Sequence, residues 1–331
     1  MKTTGSRSGL TRRDAFTVAV AAGVALSTPQ IMVRAAHAAA PMQGTAVPQF
    51  HRFKLGDFEV TTLNDGLRPG DGPHPTFGGN QPAETVQALL RENFLPETRF
   101  VNGFVPTLLN TGNELVLFDT GLGAGARGGG LGGTLGALQA AGYSPDQVDM
   151  VVLTHFHGDH IGGLVENGAP AFPNARYVAG QREYDFWTAP ERMSGPTENA
   201  ARNVAVNVKP HAEKMSFVAD GGSVTSGVTA MEAFGHTPGH MIYMLESGGN
   251  RLVLTGDTAN HYVVSLQRPD WEVAFDADKA AAAATRKRIF DMIATDRLPF
   301  IGYHMPWPSL GFVEKMGEGY RYVPHSYQLM L

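Results

Sequence analysis

Apolar residues in this chain recur in short alternating or continuous runs broken by glycine and proline, the pattern of a β-rich protein with a few helices. Phe58 to Leu63 alternates after the turn Gly56-Asp57 and predicts a strand. The Gly/Pro-rich stretch 64–82 predicts a loop, and Ala83 to Phe94 places Val86, Leu89, Leu90 and Phe94 at helical spacing. Val105 to Asn110 and Glu114 to Asp119 flank Thr111-Gly112-Asn113 as a hairpin. Residues 121–133 are almost all glycine and alanine and predict a flexible rim loop, since no phosphate-cradle lysine or strand-loop-helix context accompanies them. Thr134 is placed to cap a short helix to Ala141, and Val148 to Thr154 is a buried strand. The order then repeats. Met241–Glu246 and Arg251–Thr255 form a second hairpin, followed by Asp257. An Ala-rich helix spans about 278–294, and a strand at 299–303 ends at His304. Hairpin, acid, helix, strand and histidine thus occur twice, which implies two similar β-rich halves packed face to face with helices outside.

The N-terminus has a different character. Arg12-Arg13 precedes an uncharged apolar run from Ala15 to Val33, and Ala36-His37-Ala38 offers small residues for cleavage. Residues 1–38 read as a twin-arginine export signal, residues 39–50 as a flexible lead-in, and residues 51–331 as one domain. A permanent anchor is disfavoured, because the run is short for a span and includes Ser27, Thr28, Pro29 and Gln30. The expected location is the periplasm, with no stable membrane insertion once the signal is removed. The 331-residue chain carries a net charge of −5, and cysteine is absent. Loss of residues 1–38 removes five Lys/Arg and one Asp and brings the charge to about −9. That balance argues against a nucleic-acid partner, and the missing thiol excludes disulfides, Cys nucleophiles and Cys-ligated metal.

The sharpest chemical signal is His155-Phe156-His157-Gly158-Asp159-His160, directly after a buried strand. Alternate side chains of extended backbone point the same way, so His155 and His157 can grip one ion. After Gly158 the chain can turn, and Asp159 and His160 can face a second. Three imidazoles and a carboxylate in six residues are costly to bury without metal. His236, Asp257 and His304 each follow a predicted strand, where a sheet could bring distant ligands together. His236 and His240 compete within GHTPGH, and spacing alone does not choose between them.

THFHGDHIGG at 154–163, GHTPGH at 235–240, Gly256-Asp257-Thr258 and His304 resemble the motif series of the metallo-β-lactamase superfamily. LVLFDTG at 115–121, Asp185-Phe186-Trp187 and GYRYVP at 319–324 are similar to methyl parathion hydrolase and its lactonase and arylesterase relatives. The resemblance implies an α/β fold, an αββα sandwich with a binuclear site at one sheet edge. It implies that His155, His157 and His236 hold one ion, that Asp159, His160 and His304 hold the other, and that Asp257 bridges them. His240 becomes a neighbour, and Asp119 a residue that orients ligand histidines. Trp187 and Phe275 are expected in the substrate pocket, whose nitrophenyl clamp lacks the aromatic ring of the organophosphate-degrading members, since 121–133 has none. An all N/O donor set suits two zinc ions per chain, with manganese, cobalt or iron also compatible.

The expected activity is therefore a periplasmic hydrolase whose metal-bridging hydroxide, with Asp159 and Asp257 at the catalytic centre, opens lactones or cleaves aryl esters, with organophosphate triesters as weaker substrates. Its partners are small-molecule esters or lactones and, by resemblance, a second copy in a homodimer. The alternatives are a phosphotriesterase, a true β-lactamase, or an exported metal-binding protein without turnover.

Overall fold

The computed structural model describes residues 41–329, so the expected signal at 1–38 lies outside the described residues. Residues 41–47 carry no regular structure, but strand pairing already begins at Phe50, so the expected lead-in gives way at its last residue.

Two seven-stranded sheets organise the domain. The first runs in chain order: β1 Phe50–Leu55, β2 Phe58–Leu63, β3 Thr107–Asn110, β4 Leu115–Phe118, β5 Met150–Val152, β6 Arg176–Gly180 and β7 Met215–Val218. The second does the same: β8 Ser223–Thr225, β9 Val228–Glu232, β10 Met241–Ser247, β11 Asn250–Leu254, β12 Phe300–Ile301, β13 Leu310–Met316 and β14 Gly319–Pro324. In each sheet three antiparallel steps lead to a parallel step, β4 to β5 in one and β11 to β12 in the other. A parallel neighbour requires a crossover, and helices supply it. These are α2 Thr134–Ala140 in the first half, and α6 Val264–Gln267 with α7 Lys279–Asp296 in the second. The duplication legible in the chain is thus the duplication of the fold.

Alternation along the strands decides the layers. Val60, Leu109, Val116, Phe118 and Val152 face Ala230, Tyr243, Leu245, Leu252 and Leu254 in a core between the sheets. Their neighbours Leu108, Leu117 and Val151 turn outward onto Leu138 of α2, Trp187 of α4 (Gln181–Thr188) and Val204 of α5 (Glu198–Asn207). On the far side, Ile242, Val253 and Phe300 pack on Ile289, Phe290 and Ile293 of α7. Helix, sheet, sheet, helix is the expected αββα sandwich. Each such aliphatic side chain, fully buried, contributes roughly 1.5–3 kcal/mol.

Several local expectations are corrected. The stretch 64–82 is not all loop: Gly66–Asp71 pairs with Arg99–Phe104 as an antiparallel ribbon beside the sandwich. Helix α1 spans Ala83–Glu92, and Phe94, with φ +60, is 97% exposed rather than on its apolar face. Residues Ala124–Gly129 form a 3₁₀ turn. Thr134 does not cap α2 with its own side chain. Buried Asp65 accepts hydrogen bonds from the backbone N–H of Leu122, Gly132 and Thr134 and from the Thr134 hydroxyl. One carboxylate thereby ties both ends of the glycine-rich segment to the domain. The start of that segment lies backbone to backbone on the end of the short helix α3 (Gly158–Ile161), which carries Asp159 and His160. A Cβ at Gly123 would stand 2.1 Å from the Gly162 carbonyl oxygen, so only glycine fits.

Candidate metal centre

Four loops leave the same end of the sandwich. His155 stands three residues beyond β5, Asp257 three beyond β11, His304 three beyond β12, and His236 four beyond β9. One donor atom each of His155, His157, His236 and Asp257 lies within 4.8 Å of the others, and Asp159, His160 and His304 form a second such set. His157 Nδ1 and His236 Nε2 are 3.0 Å apart. Asp257 joins the two sets. Its Oδ2 is 3.3 Å from His236 Nε2, 3.9 Å from His155 Nε2 and 3.1 Å from His304 Nε2, while its Oδ1 is 3.3 Å from His160 Nε2. Asp159 Oδ2 is 3.5 Å from both His160 Nε2 and His304 Nε2.

The outer nitrogens are occupied. His160 Nδ1 donates to Asp119 Oδ2 at 2.8 Å, His236 Nδ1 to Asp276 Oδ1 at 2.9 Å, and His304 Nδ1 to the Gly103 carbonyl at 2.8 Å. The Thr154 hydroxyl donates to Asp119, so His155 Nδ1 donates to Thr154 Oγ1 at 3.0 Å. In the neutral ring these bonds fix the tautomer and leave each Nε2 as the lone pair that faces the centre.

The residues fit a pair of divalent ions. His155 Nε2, His160 Nε2 and Asp257 Oδ1 are buried and have no hydrogen-bond partner among the described residues, a state that costs about 1–3 kcal/mol per group unless a ligand satisfies it. Donor separations of 3.0–3.9 Å within the first set bracket the roughly 3.4 Å edge of a tetrahedron with ligands about 2.1 Å from its centre. Charge points the same way. Burial disfavours a charged His236, but Asp257 and Asp276 outweigh it and lift its pKa to about 9. Asp257 also raises His160 and His304 against burial. His155 is driven well below the usual histidine range by burial and by His160, and His157 is lowered to about 3 by burial and His236. Carboxylates that hold protons on neighbouring imidazoles would hold metal ions in their place.

His240 is apart from both sets. Its Nδ1 donates to the Ala233 carbonyl, and its Nε2 accepts the Asp257 N–H at 3.2 Å, so it steadies the Asp257 turn. Three supports carried no signal in the sequence. Asp276 is held by the fully buried Arg286, which also donates to the Thr258 and Pro269 carbonyls. Asn260 Nδ2 donates to Asp257 Oδ2 at 2.9 Å. Tyr303 lies over the His160 ring, centroids 3.9 Å apart, and its hydroxyl donates to the Asp159 carbonyl.

A cleft of about 440 Å³ opens beside His304 and Asn260, walled by Pro69, Leu90, Leu95, Phe100 and Val101. Trp187 and Phe275, expected in the pocket, are not among its lining residues. Trp187 is buried in the outer core, edge-on to His157 at 6.2 Å, with its indole N–H bonded to Glu183. Phe275 is half-exposed and packs on Phe77, which stands edge-on to it and to Phe100 of the cleft.

The metallo-beta-lactamase superfamily pattern matches residues 105–297, a span that includes all of these ligands except His304. Among solved structures, AidC, a dizinc quorum-quenching lactonase in complex with a product, N-hexanoyl-L-homoserine, is 28% identical with a TM-score of 0.75, over 84% of this chain and 98% of that one. The hydrolase AbOPH of the beta lactamase superfamily is 26% identical with a TM-score of 0.76, over 86% and 99%. An N-acyl homoserine lactonase of Bacillus sp is 23% identical over 167 residues, 50% of this chain and 60% of that protein, so the matched stretch spans less than two thirds of that lactonase.

Proposed function

This chain belongs to the metallo-beta-lactamase superfamily, and on that premise we propose that it is a binuclear metal-dependent hydrolase that opens lactones and also cleaves simple aryl esters. The observation that carries the reading is Asp257. Its carboxylate reaches both histidine sets at a centre where the His155 and His160 Nε2 atoms lack hydrogen-bond partners among the described residues, beside an apolar cleft. Two divalent ions, zinc by the donor chemistry, would polarise a carbonyl oxygen there and supply a water of lowered pKa.

The protein's own groups do the rest. His155, His157 and His236 present three imidazoles on one side, and Asp159, His160 and His304 present two imidazoles and a carboxylate on the other. Asp159 and Asp257 are both held well below the ordinary carboxylate range by the surrounding imidazoles against burial, and so stay ionised, fit to hold a cation rather than to take up a proton. The walls of Leu90, Leu95, Phe100 and Val101 suit an acyl or aryl substituent, and the solved relative that holds an N-acyl-homoserine product makes N-acyl lactones the first class to test. Periplasmic residence by twin-arginine export belongs to the same proposal, since Arg12-Arg13 would pass the protein across the membrane folded and metal-loaded.

The test is hydrolysis of an N-acyl homoserine lactone, an aryl acetate, a phosphotriester and a cephalosporin side by side, with the protein loaded and after chelation. The lactone should be turned over fastest, and only by loaded protein. Rapid cephalosporin turnover with none on the lactone would make it a β-lactamase. No turnover of any of the four would leave a metal-binding protein.

A further inference from the structure

Glu183 sits on α4, away from both donor sets, and is fully buried. It is neither a ligand nor part of an ion pair among the described residues, yet all four of its hydrogen bonds are accepted from donors. Oε1 accepts the Phe156 N–H at 2.9 Å and the Trp187 indole N–H at 2.8 Å. Oε2 accepts the Thr237 hydroxyl at 2.7 Å and the Gly239 N–H at 3.0 Å. Phe156 is the residue between His155 and His157, and Thr237 directly follows His236. One carboxylate therefore ties together the two loops that carry the three histidines of the first set.

The backbone is built for this contact. A Cβ at Gly239 would lie 2.1 Å from the Glu183 nitrogen, so the His236 loop rests directly on the start of α4. An unpaired buried carboxylate is costly, and four donors at hydrogen-bond distance are the arrangement that offsets the cost. The second set has no bond to Glu183. His160 is held by Asp119, and His304 by the Gly103 carbonyl.

We propose that Glu183 is a positioning residue that clamps the His155–His157 loop to the His236 loop, and so sets the affinity of the first ion selectively over the second. The proposal rests on the binuclear reading above. It also gives Trp187 a place: the indole is a donor in the clamp rather than a wall of the substrate cleft.

Glutamine has the same shape but one oxygen. All four partners are donors, so Glu183→Gln sets an NH₂ against at least one N–H and releases one of the two loops. The experiment compares wild type, Glu183→Gln and Glu183→Ala by stepwise chelator competition of the cobalt-loaded protein, with the visible spectrum of cobalt as the site signal and far-UV circular dichroism as the check on folding. Groups that orient metal ligands typically control affinity by about 10–100-fold. The expected result is that one ion weakens by about that factor in Glu183→Gln, with an altered cobalt spectrum, while the other stays within about threefold. Folded Glu183→Gln with both ions unchanged, or with both weakened equally, overturns the clamp. Should Glu183→Ala fail to fold, Glu183→Gln alone decides. A wild type that takes one ion contradicts the binuclear reading instead, and the clamp is then judged by whether Glu183→Gln weakens that ion by the same factor.

Discussion

Asp119→Asn isolates the support of the second ion. Asp119 is buried with φ +59, a left-handed conformation that asparagine tolerates, so the substitution adds no backbone strain. Oδ1 accepts the Thr154 N–H at 2.8 Å, and this bond fixes the asparagine oxygen in place. The new NH₂ then replaces Oδ2, which faces the Thr154 hydroxyl and His160 Nδ1, both at 2.8 Å. The hydroxyl can rotate to accept. His160 Nδ1 cannot keep its hydrogen without facing a donor, so the ring moves its proton to Nε2, where Asp257 Oδ1 stands 3.3 Å away. A protonated Nε2 is no ligand. Metal binding must restore the original tautomer and leave a buried N–H unpaired, at about 1–3 kcal/mol. At about 1.4 kcal/mol per tenfold, this predicts a loss of roughly 5- to 150-fold in affinity for one ion. Chelator competition measures it, and the ion held by His155, His157 and His236 should change by less than about threefold. Retention of both ions at wild-type affinity in Asp119→Asn would refute the tautomer argument.

Replacing Arg12 and Arg13 with Lys should hold the precursor in the cytoplasm, read by fractionation and immunoblot; undiminished periplasmic protein would remove the twin-arginine reading. A planar lactone needs less room beside the centre than a tetrahedral phosphotriester, and misplacement by about 1 Å costs roughly a hundredfold. For dihydrocoumarin, kcat/KM should therefore exceed that for methyl parathion by at least about two orders of magnitude, or about 2.7 kcal/mol, and equal values would contradict the cleft argument. Phe275→Leu should narrow that gap, because Phe275 backs Phe77, which packs edge-on against the cleft residues Phe100 and His261; an unchanged ratio would place Phe275 outside the specificity machinery.

The chain announces what is periodic and what is clustered. The continuous apolar runs Leu115–Phe118 and 252–254 are legible because both sheet faces are buried, one by the other sheet and one by helices. The six residues from His155 to His160 are legible because so many ligand types in one short stretch have few other uses. The ribbon Gly66–Asp71 is hidden because one of its faces meets solvent and its strand contains Pro69 and Gly70, residues that read as turn. Phe94 misleads because helical spacing continues two residues beyond the point where the backbone turns left-handed. Asp65, Glu183, Asp276 and Arg286 are invisible for a different reason. Each is an ordinary charged residue whose meaning depends on hydrogen-bond partners brought to it by the fold, and no local pattern marks them. The same applies to Trp187, whose place in a short aromatic motif suggests a pocket wall, whereas its indole N–H completes the bonding of Glu183.

The central claim is a two-ion centre shared through Asp257, and metal content against added equivalents tests it most directly. Metal-free protein titrated with zinc and analysed by mass spectrometry under native conditions should saturate at two ions per chain. Asp257→Ala, measured in the same titration, should weaken both steps, because its carboxylate reaches both histidine sets. Saturation of the wild type at a single ion under excess metal would contradict the account.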